Sequence, residues 1–215
     1  KYYEITGDAV YLKGAEHLGD FFIEKAVPQG SGVKWNAGGT GNRARYFTGF
    51  AGGVAGNGYF LERLSRVSGN KAYGEYAGKV LAYFQETAVA EKGYLKWRRE
   101  EIKAAEKFPS QWCHGAPGIG NFFVALYNGT KDPKYADLAD KNIGYLLDQG
   151  FNVRKNGGIC HGISGNAASV YAAYLATGNK AYFNEMKNAV ADLDRTVLKE
   201  ADGYYWDAEM GKNDY

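Results

Sequence analysis

Cysteine and histidine, the residues that most often carry chemistry, are scarce here: two and three in 215 residues. No uninterrupted apolar stretch approaches the ~18 residues that a membrane span needs, so no transmembrane segment is expected. The 26 Lys and Arg are scattered among 24 Asp and Glu, for a formal charge of +2. Without a basic stripe to meet a phosphate backbone, nucleic acid drops out as an expected partner. The opening KYYEITGDAV lacks both an initiator Met and a signal-peptide pattern. The natural start is therefore expected elsewhere, and the expected location is cytoplasmic. What remains is a core-forming composition, 45% apolar and 23% charged, at a length that suits one large domain or two small ones.

Thirty glycines and eighteen tyrosines point to repetition. Three markers recur in order. A T/S-G-D/N-like turn leads to Tyr11, Tyr73, Tyr135 and Tyr182; a Gly-aromatic segment ends at Trp35, Trp97 and Trp206; a glycine-rich opening surrounds Gly53, Gly115 and Gly162. Tyr to Trp is 24 residues in all three complete cases, and Trp to the motif Gly is 18 in both. The Tyr markers step by 62, 62 and 47; the last step is short because Ile159 takes the Trp position 3 residues before Gly162, which removes 15 residues of linker. The repeats fall near 11–72, 73–134, 135–181 and 182–215, within a single domain spanning 1–215.

Between the markers the pattern is helical. Tyr73, Tyr76, Ala77, Val80, Leu81 and Phe84 share one helix face, and Met186, Ala189, Val190, Leu193 and Val197 repeat it. The segments after the glycine-rich openings, GYFLERLSRV, NFFVALY and SVYAAYLA, are more evenly apolar. Amphipathic helices suit an outer layer and evenly apolar ones an inner layer, so the expected fold is all-α, with stacked αα-hairpins in an open solenoid or a closed α/α toroid. Seven helices are expected, from an outer one near Val10 to Lys25 to another near Lys180 to Thr196. The chain reads as an arc covering part of a larger ring.

The rare residues fall at equivalent places. Ala51, Cys113 and Cys160 align, as do Gly52, His114 and His161, each just ahead of an inner-helix opening. In a toroid these openings cluster around the central cavity, so Cys113, Cys160 and His161 are expected to converge. The motif glycines are expected to allow positive φ and close backbone approach, and the helix N-termini to favour cysteine thiolates. Two thiolates and an imidazole suit a tetrahedral Zn2+ with one open position, as catalytic zinc sites have. A Cys113–Cys160 disulfide or plain buried thiols remain alternatives. His114 is expected to line the cavity, and His17 to lie on the solvated surface.

WCHGAPGIG followed by GICHGISGNA resembles the paired motifs of the lanthionine synthetase C-like (LanC-like) proteins. The resemblance implies a double layer of α-helices and zinc held by Cys113, Cys160 and His161. It also implies Michael-type addition of a cysteine thiol to dehydroalanine or dehydrobutyrine, giving a thioether. The implied partners are a cysteine-containing peptide or a glutathione-like thiol. The His of WCHG is the form associated with the eukaryotic-type members, and His114 is the candidate proton donor. Two positions depart from the family pattern: Gly52 stands where a His is usual, and Phe108, Pro109 and Ser110 fill a stretch where an Arg is common. A zinc-binding homologue with altered activity, acting as a peptide- or protein-binding module, is one alternative. A carbohydrate-active α/α toroid is another, although its two facing carboxylates are absent from the inner-helix openings; Glu62 lies a turn or two into its helix.

Overall fold

The computed structural model describes residues 1–100, 108–151, 157–195 and 197–206. The described helices are α1 Tyr2–Thr6, α2 Ala9–Lys25, α3 Val54–Ser68, α4 Lys71–Thr87, α5 Ala116–Thr130, α6 Pro133–Gln149, α7 Ile163–Thr177 and α8 Lys180–Arg195. Seven of the eight match the sequence pattern. The addition is α1, whose five residues are too few to show a period.

The turns between paired helices share one mechanism. Thr6, Ser68, Thr130 and Thr177 donate their hydroxyls to the carbonyl four residues back, at 2.8, 2.7, 2.9 and 2.9 Å. The next residue, Gly7, Gly69, Lys131 or Gly178, takes the left-handed conformation, with φ of 71, 75, 58 and 72°. Asp8, Asn70, Asp132 and Asn179 then cap the following helix by accepting from the N–H two residues on. A stop and a start are thus written into three consecutive residues.

Each outer helix before a long loop runs into a short antiparallel hairpin, which periodicity in the sequence did not reveal. The pairs are β1 Val27–Gln29 with β2 Gly32–Lys34, β3 Val89–Glu91 with β4 Tyr94–Lys96, and β5 Leu198–Glu200 with β6 Gly203–Tyr205. Strands of three residues are below what alternation can show. The marker tryptophans pin these hairpins: the indole N–H of Trp35, Trp97 and Trp206 donates to the carbonyl of Phe22, Phe84 and Leu193 at 2.7, 2.9 and 2.9 Å. Those carbonyls lie in the last turns of the outer helices, where the helix itself supplies no donor. The constant spacing of 24 residues is therefore one outer helix plus one hairpin.

The layers follow from burial. Helix α5 packs between α3 and α7 and is backed by α6; ten of its fifteen residues are buried. Outer helices bury one stripe: Tyr73, Ala77, Val80, Tyr83 and Phe84 of α4, and Ala139, Asn142, Ile143, Tyr145 and Leu146 of α6. Between the layers, the Phe84 ring meets Trp97, Phe122 and Phe123 at centroid distances of 5.4, 5.9 and 5.8 Å. This is the two-layer architecture of an α/α toroid. At its last hairpin the outer stripe thins: Tyr182 and Ala189 of α8 are buried, whereas Val190, expected on the same face, is 46% exposed.

Burial separates two of the three tryptophan pins. Trp97→Phe should cost about 1–3 kcal/mol by leaving the Phe84 carbonyl unsatisfied away from water. Trp206→Phe should cost less, because Trp206 is 41% exposed against 3% for Trp97 and water can replace its bond. Urea unfolding of the two variants checks the order.

Candidate functional site

Inner helices α3, α5 and α7 open from Gly53, Gly115 and Gly162, whose φ values are −124, −118 and −115°. All three are extended, so the motif glycines do not serve positive φ as expected. Close approach is the reason for glycine at two of them. A Cβ on Gly115 would lie 2.4 Å from the Pro109 carbonyl oxygen, and one on Gly53 equally close to that of Gly49. Positive φ occurs one residue earlier and in one repeat only, at Gly52 with φ 69°.

A backbone ladder joins the three openings. The Ala51 N–H donates to the Cys113 carbonyl at 2.8 Å, and the Cys113 N–H to the Cys160 carbonyl at 3.3 Å. Positions equivalent in sequence are thereby neighbours in space. One Sγ from each cysteine and one ring nitrogen of His161 all lie within 4.8 Å of one another, and the Cys160 Sγ is 3.9 Å from His161 Nε2. The cysteines are free thiols, Cys113 buried and Cys160 exposed. His114 is not in this group. Its ring sits half-buried, 5.5 Å from the Phe47 ring, with a buried Nδ1 that has no hydrogen-bond partner. His17 lies exposed on α2.

The electrostatics run against two expectations. Burial and then the neighbouring Cys160 push the Cys113 thiol up to about 12, so desolvation outweighs the helix N-terminus and the metal-free site holds a thiol. Burial, followed by the Arg99 and His161 charges, lowers His114 to about 4. Its imidazole is neutral near pH 7 rather than a ready imidazolium.

The donor set fits zinc. Metal–sulfur bonds of about 2.3 Å and metal–nitrogen bonds of about 2.0–2.1 Å in a tetrahedron require donor atoms roughly 3.5–3.8 Å apart, a small contraction from those seen. A bound cation also gives the buried Cys113 sulfur a reason to ionise.

Residues 4–215 match the family model described as lanthionine synthetase C-like protein. The chain belongs to the lanthionine synthetase C-like family. Solved structures share its fold at low identity. The GH76 α-mannanase of Bacteroides thetaiotaomicron superposes with a TM-score of 0.71 at 16% identity, over 97% of this chain and 57% of that one. A Listeria innocua protein gives 0.68 at 16%, over 97% and 60%. Nisin cyclase gives 0.59 at 20%, over 71% and 40%. This LanC-like chain thus spans between two fifths and three fifths of the length of these structures.

The two departures from the family pattern have structural correlates. Phe108 to Ser110 are packing residues: the Phe108 carbonyl accepts from the Tyr145 hydroxyl at 2.9 Å, the Pro109 carbonyl from the Ala116 N–H at 3.3 Å, and Ser110 is buried. At Gly52 a Cβ would meet nothing within 4 Å, so a side chain has room but the backbone is left-handed. Glu62 is buried and paired with Arg66 at 2.8 Å. Sequence reading missed Arg45 and Arg99, which the fold brings to the Phe47 ring beside His114. Only the run WRRE hinted at Arg99, and nothing in the sequence marked Arg45.

Iodoacetamide at pH 8 on metal-free protein should label Cys160 at least about tenfold faster than Cys113, because the thiolate is the reactive form and Cys113 is both buried and protonated. Peptide mass mapping over time gives the ratio; equal rates would contradict the burial of Cys113.

Proposed function

We propose that this LanC-like chain holds Zn2+ through Cys113, Cys160 and His161 and activates a cysteine thiol for addition to dehydroalanine or dehydrobutyrine. The observation that carries this reading is the convergence of three soft donors from two repeats within 4.8 Å. When bound, zinc supplies a Lewis-acidic position at which an incoming thiol ionises near neutral pH. The residues of the chain do the rest. Cys113 and Cys160 offset the metal charge, so that an arriving sulfur stays electron-rich. The inner-helix openings fix the donor atoms on rigid elements, and the buried side of the site keeps water from Cys113. Sulfur bonds to the β-carbon, the C=C pair moves to the α-carbon, and the thiol proton ends there, so the addition balances without a co-reactant. His114 is the proposed proton carrier: its neutral ring can take that proton on a free nitrogen and return it. A cysteine-containing peptide or a glutathione-like thiol is the proposed substrate, and the cytoplasm the proposed location.

Gly52 and the Phe108–Ser110 stretch favour a second reading, a zinc-holding module that binds peptide or protein without catalysing the addition. Against a carbohydrate-active reading stands the lack of any carboxylate in AGGVAG, CHGAPGIG and CHGISGNA.

Zinc-loaded protein should bind about one metal per chain and accelerate thioether formation between a cysteine peptide and a dehydroalanine peptide, followed by mass spectrometry. His161→Ala should lose metal and rate together. Gly52→His should raise the rate by up to about 10²-fold if a general acid or base is what that position lacks, at a stability cost of about 1 kcal/mol for a side chain at positive φ. A zinc-loaded protein that binds the peptide but gives no addition, with or without His at 52, decides for the binding module.

A further inference from the structure

Beside the Cys/His group lies a cationic cluster to which the proposed reaction assigns no role. The guanidinium carbons of Arg45 and Arg99 both lie over the Phe47 ring, 4.7 and 5.4 Å from its centroid. The His114 ring lies beside the same ring, at 5.5 Å. The arrangement is built in rather than incidental. Phe47 forms a β-bridge with Glu100, the Thr48 N–H donates to the Arg99 carbonyl at 3.0 Å, and the Thr48 hydroxyl to that of Arg98 at 2.5 Å. Gly49 then passes so close to the WCHG motif that a Cβ there would lie 2.4 Å from the His114 Cα.

The two arginines differ in their partners. Arg45 is paired, its Nη2 2.6 Å from Glu100 Oε1. Arg99 has no ion pair among the described residues, and its Nε is buried with no hydrogen-bond partner. An unsatisfied N–H on a charged, half-buried group is costly enough to mark a place for an acceptor. The Arg99 guanidinium therefore stands beside the candidate metal centre without a counter-charge among the described residues.

We propose that Arg99, with Arg45 beside it, forms a subsite for a carboxylate of the thiol-bearing substrate, anchoring it while its sulfur reaches the Cys113, Cys160 and His161 group. This rests on the thiol-binding reading above. The planar N–H fork of a guanidinium matches a carboxylate. A cysteine peptide or glutathione-like thiol carries carboxylates at its C-terminus or acidic side chains, so the fork can hold the nucleophile's chain by a group remote from its sulfur. Both arginines are positioning residues, since neither is required to touch the reacting atoms.

The test is calorimetric titration of the zinc-loaded full chain with N-acetyl-Cys-Gly-Gly as free acid and as C-terminal amide. The acid should bind about tenfold tighter at low salt, one charge-assisted hydrogen bond's worth of discrimination, and added salt should erode the difference. Arg99→Gln should abolish the difference and leave amide affinity unchanged, which also shows that the variant is folded; Arg99→Lys should restore part of it. If Arg99→Gln binds neither peptide, Arg45→Gln decides: a reduced acid preference supports the subsite, and a full one overturns it. Equal binding of acid and amide by the unaltered chain overturns the subsite while sparing thiol binding. Binding of neither overturns the thiol reading and the subsite with it.

Discussion

The candidate site depends on the backbone ladder across the inner-helix openings. Ala51 to Cys113 and Cys113 to Cys160 are single N–H to carbonyl bonds, yet they convert sequence equivalence into spatial adjacency. They can form because the residues after them make no demand on space: Gly53 and Gly115 lie against backbone carbonyls at distances that exclude a Cβ. With these close approaches in place, α3, α5 and α7 start from one face, and the openings of α5 and α7 bring Cys113, Cys160 and His161 to the same place. The outer layer supports this by fixing how far each loop reaches. The constant 24 residues of helix and hairpin, tied by an indole N–H to a helix-end carbonyl, return the chain to the same point each time.

At the site itself desolvation dominates. An exposed cysteine at a helix N-terminus would be inclined to ionise, but Cys113 is 1% exposed and faces a second sulfur, so it keeps its proton in the absence of a cation. The same burial strips the charge from His114, helped by the Arg99 guanidinium. Metal-free, the site holds a protonated Cys113 and an uncharged His114 beside the Arg99 guanidinium. Such a group suits a divalent cation on one side and an anionic ligand on the other, which joins the two proposals through charge alone.

Family membership and shared fold set different limits. The family match runs across nearly the whole chain, whereas the structural neighbours, a mannanase and a cyclase among them, are below 25% identity and carry unlike functions on one ring of helices. Chemistry must therefore be argued from the residues at the openings. Cysteine and histidine at Cys113, Cys160 and His161, with no carboxylate in the three openings, favour metal-thiol chemistry over sugar hydrolysis.

Much of this was legible in the chain as written. The 24- and 18-residue spacings, the switch between amphipathic and evenly apolar segments, and the doubled CHG fixed an all-α repeat with its rare residues at equivalent places, because local periodicity and turn chemistry are properties of adjacent residues. Three-residue hairpins and the five-residue α1 were not legible, since neither is long enough to show a period. Nor were the extended φ values of the motif glycines, the rise of Cys113, the fall of His114, or the meeting of Arg45 and Arg99 at Phe47. Each of these depends on groups contributed by distant segments. Sequence alone determined which donors the chain owns and how often they recur; only the tertiary structure decided which are buried, which are charged and which stand beside a guanidinium, because desolvation and Coulomb energies depend on distances through space.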